Sequence, residues 1–365
     1  MEIIAYYLPQ YYPFKENNEW WGEGFTEWTN VGKAKALFRG HYQPKVPADL
    51  GYYDLRIAET RIKQAQLAKE AGVTGFCYWH YWFGDGKKLL DLPFNGVLHS
   101  DEPDFPFCLG WANESWKSKS WNGENDTKDK MLIEQTYPGQ NDIECHFYEI
   151  LDALKDNRYI KIDGKPVFVV YKPLLIPNSE QFINIWNDLA KLNGFSQGFL
   201  FIGHTINDSE KDTILGLGYD AVNIVRIGEH RFNKKVIKKI FFKLLKFKFL
   251  KMPLILDYSF ISNFFIRNSD KDLKIIPTII PNWDHTPRSG SNGLVFHRSS
   301  PELFQKHAYN ALSLVKDKPK ERQIIFLKSW NEWGEGNYME PDLRYNKGYI
   351  NALHQAIESV NNAEK

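Results

Sequence analysis

Residues 323–341 read QIIFLKSWNEWGEGNYMEP. The stretch opens on four apolar residues, Ile324-Ile325-Phe326-Leu327, whose length and β-branched content predict a buried strand. The strand runs straight into Ser329-Trp330-Asn331-Glu332-Trp333-Gly334-Glu335-Gly336. Two carboxylates, two indoles, an amide and two glycines crowd the point where it ends. A structural turn does not need that mixture. A sugar site uses all of it: carboxylates for acid/base work, indole faces for stacking, amides for hydroxyls and glycines for a sharp backbone turn.

The same pattern recurs upstream. Apolar strands are predicted at 3–8, 73–82, 105–109, 166–171, 199–203, 221–225 and 276–280, with 324–327 as the eighth. Helical patterns fall between them at 55–71, 88–98, 142–156, 178–192, 209–217, 301–315 and 348–360, with Gly72 placed to cap the first. Strands alternating with helices predict βαβ units and a parallel sheet. Eight such units predict an α/β fold, a (β/α)8 TIM barrel. It is expected to be a single domain over 1–365, with long loops at the C-terminal strand ends. Polar and aromatic groups follow the strands rather than precede them, as that fold requires. An open doubly wound sheet would carry a glycine-rich phosphate turn after its first strand, and Tyr7-Leu8-Pro9-Gln10 is not one.

Composition narrows the partners. The chain of 365 residues has a formal net charge of +1, which gives no global attraction to nucleic acid. Its 12 Trp, 19 Tyr and 25 Phe are many, and they cluster beside Glu, Asn, His and Gly, which suits a carbohydrate cleft. Cys77, Cys108 and Cys145 are too few and too irregular for a disulfide framework or a zinc site. No cofactor and no metal are expected. The first residues, MEIIAYYLP, lack a basic n-region, and no run of about 18 apolar residues occurs. A cytoplasmic protein is therefore expected.

One segment departs from the barrel pattern, a basic amphipathic excursion at about 226–275. Within it, residues 234–251 (KKVIKKIFFKLLKFKFLK) hold eight lysines and no acid. Ile237, Ile240, Phe241, Leu244 and Leu245 share one helical face, with Lys235, Lys239, Lys243 and Lys246 largely opposite. One reading is peripheral contact with the inner membrane, at about 1 kcal/mol per lysine near an anionic surface. The other is an ordinary solvated face.

Glu332 and Glu335 are the catalytic candidates. Three residues apart in a turn, both can aim into the barrel mouth. Two neighbouring carboxylates titrate as a pair, so one holds a proton while the other ionises. Asn331 and Trp333 flank them, and Glu340 is a hydroxyl ligand or a structural acceptor. Trp111, Asn113 and Glu114 follow the third strand, and Glu27 and Trp28 lie in the long first loop. Tyr78, Trp79 and His80 end the second strand, His204 the fifth and Trp283 the seventh, where His285 also stands. These residues are the candidates for binding an oligo- or polysaccharide.

The motifs YYLPQYYP, WWGEGFTEWTNV, GFCYWHYWF, CLGWANESW and SWNEWGEG resemble those of the bacterial WbsX-type family of surface-polysaccharide (lipopolysaccharide, O-antigen) biosynthesis proteins. That family in turn resembles glycoside hydrolase family 99, the endo-α-1,2-mannosidases and mannanases. The resemblance implies that Glu332 deprotonates a sugar 2-hydroxyl, whose oxygen attacks the anomeric carbon to give a 1,2-anhydro sugar. It implies that Glu335 protonates the leaving oxygen and later activates water, with net retention. Gly334 departs from the hydrolases' pattern, standing where a hydroxyl-binding side chain could sit. Two other readings stay open. One is a glycosyltransferase, although no metal-binding acidic motif or nucleotide-binding sheet is found. The other is a non-catalytic glycan-binding barrel.

Overall fold

The computed structural model describes residues 1–118, 130–228, 245 and 252–363. Eight parallel strands close into a barrel: β1 (Glu2–Tyr7), β2 (Gly75–Trp82), β3 (Phe107–Trp111), β4 (Lys165–Val170), β5 (Leu200–Thr205), β6 (Ala221–Ile224), β7 (Ile275–Ile279) and β8 (Ile324–Leu327). Each pairs in parallel with the next, and the ring shuts where Glu2 of β1 lies opposite Ile324 of β8. The strands are buried on both faces, which is why they read as nearly continuous apolar runs.

Around the barrel stand α1 (Glu27–Lys33), α2 (Ala58–Ala71), α3 (Leu92–Leu98), α4 (Gln140–Glu149), α5 (Ser179–Leu192), α6 (Lys211–Gly216), α7 (Pro301–Lys316) and α8 (Gly348–Asn362). Their ends follow capping chemistry. Gly72 closes α2 with φ +85° and donates its N–H to Ala68 and Lys69 carbonyls. Asn178 Oδ1 accepts from Gln181 N–H at 3.0 Å to open α5. Two expected helices differ from their pattern. The 88–98 helix begins only at Leu92, because Lys88 and Leu89 pair antiparallel with Trp82 and Tyr81. The 142–156 helix is interrupted at Ile150.

The barrel interior is plugged. Tyr6 is sandwiched between Trp79 (ring centroids 4.7 Å apart) and Phe326 (4.9 Å). Its hydroxyl donates to Asn223 Oδ1 at 2.7 Å, and Asn223 Nδ2 donates to Thr278 Oγ1 at 2.8 Å. Three strands are thus tied across the axis by satisfied polar groups.

The excursion after β6 packs with the segment after β7 into a second apolar cluster of Val225, Leu256, Tyr258, Phe265, Trp283 and Phe296. It includes a parallel pair, Leu254–Asp257 with Leu294–His297. Arg226 anchors its root. The guanidinium is fully buried and bonds Asp208, Asp270 and the Phe265 carbonyl. The lysine-rich stretch 234–251 lies outside the described residues, Leu245 apart. No helix among the described residues is long and apolar enough to cross a membrane.

Arg226→Met leaves the Asp270 carboxylate buried without its partner. A loss of about 3–5 kcal/mol is expected. Chemical denaturation checks it, and a loss below about 1 kcal/mol would show that the anchor does not hold the excursion.

Candidate active site

Beyond β8 the chain passes Lys328 and Ser329, joined by a cis peptide, and enters a tight hairpin. Asn331–Glu332 pairs antiparallel with Asn337–Tyr338. Residues 333–336 make the turn, with Gly336 at φ +53°. A Cβ on Gly336 would lie 2.7 Å from Asp284 Cβ and 2.8 Å from Lys45 Nζ, so glycine is required by space as well as by angle. The hairpin sets both candidate carboxylates around one ammonium. Lys328 Nζ is 2.9 Å from Glu332 Oε2 and 3.9 Å from Glu335 Oε2.

A second cation completes the cluster. Arg288 comes from the short helix Thr286–Ser289, which follows β7. Its Nη1 donates to Glu335 Oε1 at 2.6 Å and its Nε to Glu27 Oε2 at 3.0 Å. Glu27 is buried at the start of α1 in the β1 loop. Loops after β1, β7 and β8 therefore meet on one guanidinium. His285 Nε2 stands 3.7 Å from Glu335 Oε1, and Ser329 Oγ lies 2.9 Å from Glu332 Oε2.

The charges shape one another. Burial, then the Glu335 charge, raises the Glu332 carboxyl above the ordinary glutamate range, and Lys328 and Arg288 only partly pull it back. Burial opposes the charge on Lys328, yet Glu332 and Glu335 outweigh it and the ammonium is held more firmly than usual. Arg288 behaves alike: burial works against it, and Glu27, Glu335 and Glu332 win. Tyr81 and Tyr171 feel the same field, both phenols being raised first by burial and then by nearby glutamates.

The remaining expected residues divide. Trp79 and His204 face the interior below the mouth, their rings 6.5 Å apart. His204 Nδ1 donates to the Tyr171 carbonyl at 3.2 Å. Burial, with Lys328 and Lys172, lowers its pKa to about 3, so it is neutral. Its buried Nε2 is an acceptor with no hydrogen-bond partner among the described residues. Trp283 presents its ring to Lys328, whose Nζ is 5.6 Å from the centroid. Glu114 is exposed, and its charge reaches Tyr171.

Tyr78, His80 and Trp111 lie on the helix-facing side of the wall rather than in the mouth. Tyr78 packs on Phe94 of α3, and Trp111 on Phe182 of α5. His80 Nε2 is 2.9 Å from His146 Nε2 of α4. The strand period of two turns them out while Trp79 turns in.

Five further candidates are engaged by the protein itself. Asn113 clasps the Lys172 backbone through both amide ends, and Asn331 does the same to Leu8. Trp333 is buried, stacks on Tyr338 at 3.8 Å and donates to Glu340 at 2.6 Å. Trp28 donates to the Tyr53 carbonyl at 2.7 Å and packs on Trp333. Glu340 accepts from Tyr53, Gln64 and Trp333 behind the hairpin.

Sequence reasoning missed Arg288 and Lys328. Neither stands in a motif, and a cation next to a predicted carboxylate pair is the signal that could have flagged Lys328. The structure also accounts for Gly334. A Cβ there would fall 1.9 Å from Glu27 Oε2 and 2.9 Å from Arg288 Nε. The ion pair occupies the space that a side chain would need.

The sequence profile of the family described as Glycosyltransferase WbsX matches residues 3–353. The chain belongs to the WbsX family. Among relatives, an uncharacterized protein WxcX from Xanthomonas campestris pv. campestris is 30% identical over 361 residues, in each of two strains. The match takes in 97% of this chain and 49% of the relative, so this WbsX chain spans about half the length of the curated relatives it matches. Among solved structures, a GH99 endo-alpha-mannosidase from Bacteroides thetaiotaomicron, in complex with bis-tris-propane, superposes with a TM-score of 0.61 at 16% identity, covering 100% of this chain and 98% of that one. Another structure of the same enzyme gives 0.59. A glycoside hydrolase-like protein gives 0.57, also at 16% identity, covering 97% and 93%. At that identity the likeness is one of fold: this member of the WbsX family has the GH99-like (β/α)8 barrel.

Two outcomes follow. Gly334→Ala must displace the Glu27–Arg288 pair, so thermal and chemical denaturation should register a loss of about 1–3 kcal/mol. Glu340 titrates at about 7, raised by burial. A carboxyl raised on folding favours the protonated native state, so its contribution is full below the unfolded pKa near 4.5 and is lost as pH climbs to about 7. Stability measured from pH 4.5 to 7 should therefore fall more steeply in the wild type than in Glu340→Gln. Parallel curves would remove Glu340 from the explanation.

Proposed function

We propose that this protein cleaves, or transglycosylates, a glycosidic bond of a bacterial surface polysaccharide with retention, through Glu332 and Glu335. The observation that carries the reading is the pair of carboxylates held around Lys328 Nζ at the C-terminal mouth of the barrel. That is where barrels of this kind do their chemistry.

The residues suit a two-stage displacement. Glu332, with raised proton affinity, takes the proton from a sugar 2-hydroxyl, and that oxygen attacks the anomeric carbon. The C–O bond to the leaving sugar breaks as Glu335 delivers a proton to the departing oxygen. Water, or a sugar hydroxyl, then opens the 1,2-anhydro ring from the opposite side, with Glu335 taking its proton and the 2-oxygen being reprotonated. Two inversions give retention. Lys328 and Arg288 balance the negative charge that moves between the two glutamates. His204 Nε2 offers a buried acceptor for one sugar hydroxyl.

A glycosyltransferase using a nucleotide sugar is the second reading, favoured by the description of the family whose profile matches. It needs a diphosphate site, and the described residues hold no group of three or more His, Cys, Asp or Glu side chains fit for a metal ion. Nucleotide-sugar binding by calorimetry would favour it.

The test is incubation with bacterial O-antigen and capsular glycans, and with α-mannans, in 18O-water, read by mass spectrometry. Labelled new reducing ends are expected for hydrolysis, and longer unlabelled chains for transfer. Glu335→Gln and Glu332→Gln should each lower turnover at least about a hundredfold while glycan binding persists. Turnover unchanged in Glu335→Gln would end the assignment.

A further inference from the structure

Beside the mouth, between the loops that follow β1, β7 and β8, lies a second cavity of about 490 Å³. That is the size of a small-ligand pocket. Its walls combine aromatic faces from Tyr42, Trp283, Phe296 and Tyr345 with the cations Arg39, Lys45, Arg298 and Arg344.

The two acids that reach it are already occupied. Asp284 Oδ2 is 2.8 Å from both His41 Nε2 and Gln43 Nε2, and its Oδ1 accepts from Thr286. Asp342 accepts from the Tyr338 hydroxyl and from the Arg344 and Tyr345 N–H groups. Asp284 and Asp342 act on Lys45 through space, but neither carboxylate hydrogen-bonds it among the described residues. Lys45 is 93% buried, its 7% exposure leaving it inside the wall, and its ammonium donates a single hydrogen bond among the described residues, to Gly336 O at 3.0 Å. An ammonium has three donors. Arg39 and Arg344 are exposed at the rim and have no ion-pair partner among the described residues. Arg344 lies over Tyr42 and Tyr345, 4.7 and 5.2 Å from their centroids, which holds its planar fork in place. Arg298 is shared with Asp257 at 3.7 Å.

We propose that this cavity binds the anionic group, a carboxylate or a phosphate, of an acidic sugar unit. An anion takes up the idle donors of Lys45 and the rim guanidinium of Arg344, and the aromatic walls take the faces of the pyranose ring. A neutral sugar offers the spare Lys45 donors and the rim guanidinium no anionic acceptor. Trp283 is the shared wall: it lines the cavity and also faces Lys328 of the catalytic cluster. The acidic unit thus sits one indole away from the carboxylate pair. That it belongs to the glycan being cleaved rests on the proposed function; that the cavity binds an acidic sugar does not.

The test is calorimetric titration of the full chain with glucuronate, glucose 1-phosphate and glucose. An acidic probe should bind at least about tenfold more tightly than glucose, the order of one charge-assisted hydrogen bond. The double variant Arg39→Ala/Arg344→Ala, changed only at exposed side chains outside the catalytic cluster, should weaken that binding about tenfold with its melting temperature unchanged. Binding of glucuronate alone identifies a carboxylate ligand, and of glucose 1-phosphate alone a phosphate ligand. Equal affinity for glucose, no saturable binding of either acid up to about 10 mM, or an unaffected double variant overturns the proposal. A protein that binds an acidic probe yet turns over no glycan overturns the hydrolase reading alone. One that cleaves glycan yet ignores both probes overturns only the cavity.

Discussion

Three carboxylates and two permanent cations share one buried space at the barrel mouth, and the rest of the site depends on that inequality. Glu27, Glu332 and Glu335 face Lys328 and Arg288. Taking five charges out of water is tolerable only when they neutralise one another closely. Here one negative charge is left over, and the raised Glu332 carboxyl is where the imbalance surfaces. A group poised to hold or release a proton is thus a consequence of burial first and of the count of charges second. The geometry that enforces it is modest: one guanidinium reaching two loops, and one lysine a single turn of chain before the glutamates.

Much of the barrel was legible because each strand is a short apolar run buried on both faces, bounded by glycine, proline or a polar cluster. Its polarity was legible too, since those clusters follow the strands. What could not be read was the facing of side chains where no alternation exists. In GFCYWHYW every residue but Gly75 and Cys77 is bulky, and only closure of the ring decides that Trp79 looks inward and His80 outward. Nor could the sequence tell an amide that holds a sugar from one that holds backbone. Asn113 and Asn331 both sit beside a glutamate at a strand end, and both are consumed in clasping the adjacent strand. The cations were hidden by distance along the chain: Arg288 meets Glu27 across 261 positions, which no local pattern encodes.

Glycines 334 and 336 illustrate how a motif carries information about residues far from it. Each is explained by what stands opposite its missing Cβ, the Glu27–Arg288 pair in one case and Asp284 with Lys45 in the other. The E-x-x-E loop is therefore shaped as much by the loops after β1 and β7 as by its own residues. The same neighbours, Asp284 and Lys45, form the back of the cationic cavity, so the two sites share masonry.

The Tyr6–Asn223–Thr278 tie across the barrel axis has a consequence for traffic. With Tyr6 wedged between Trp79 and Phe326, side chains of the described residues fill the interior below the mouth. Whatever reaches the glutamates arrives and departs by the loop face alone. Under the proposed function, a long polymer would not be threaded through such a cup but would lie across the rim with one bond dipped inside. On that proposal the rim loops, rather than the bore, set how many units are gripped on either side of the bond.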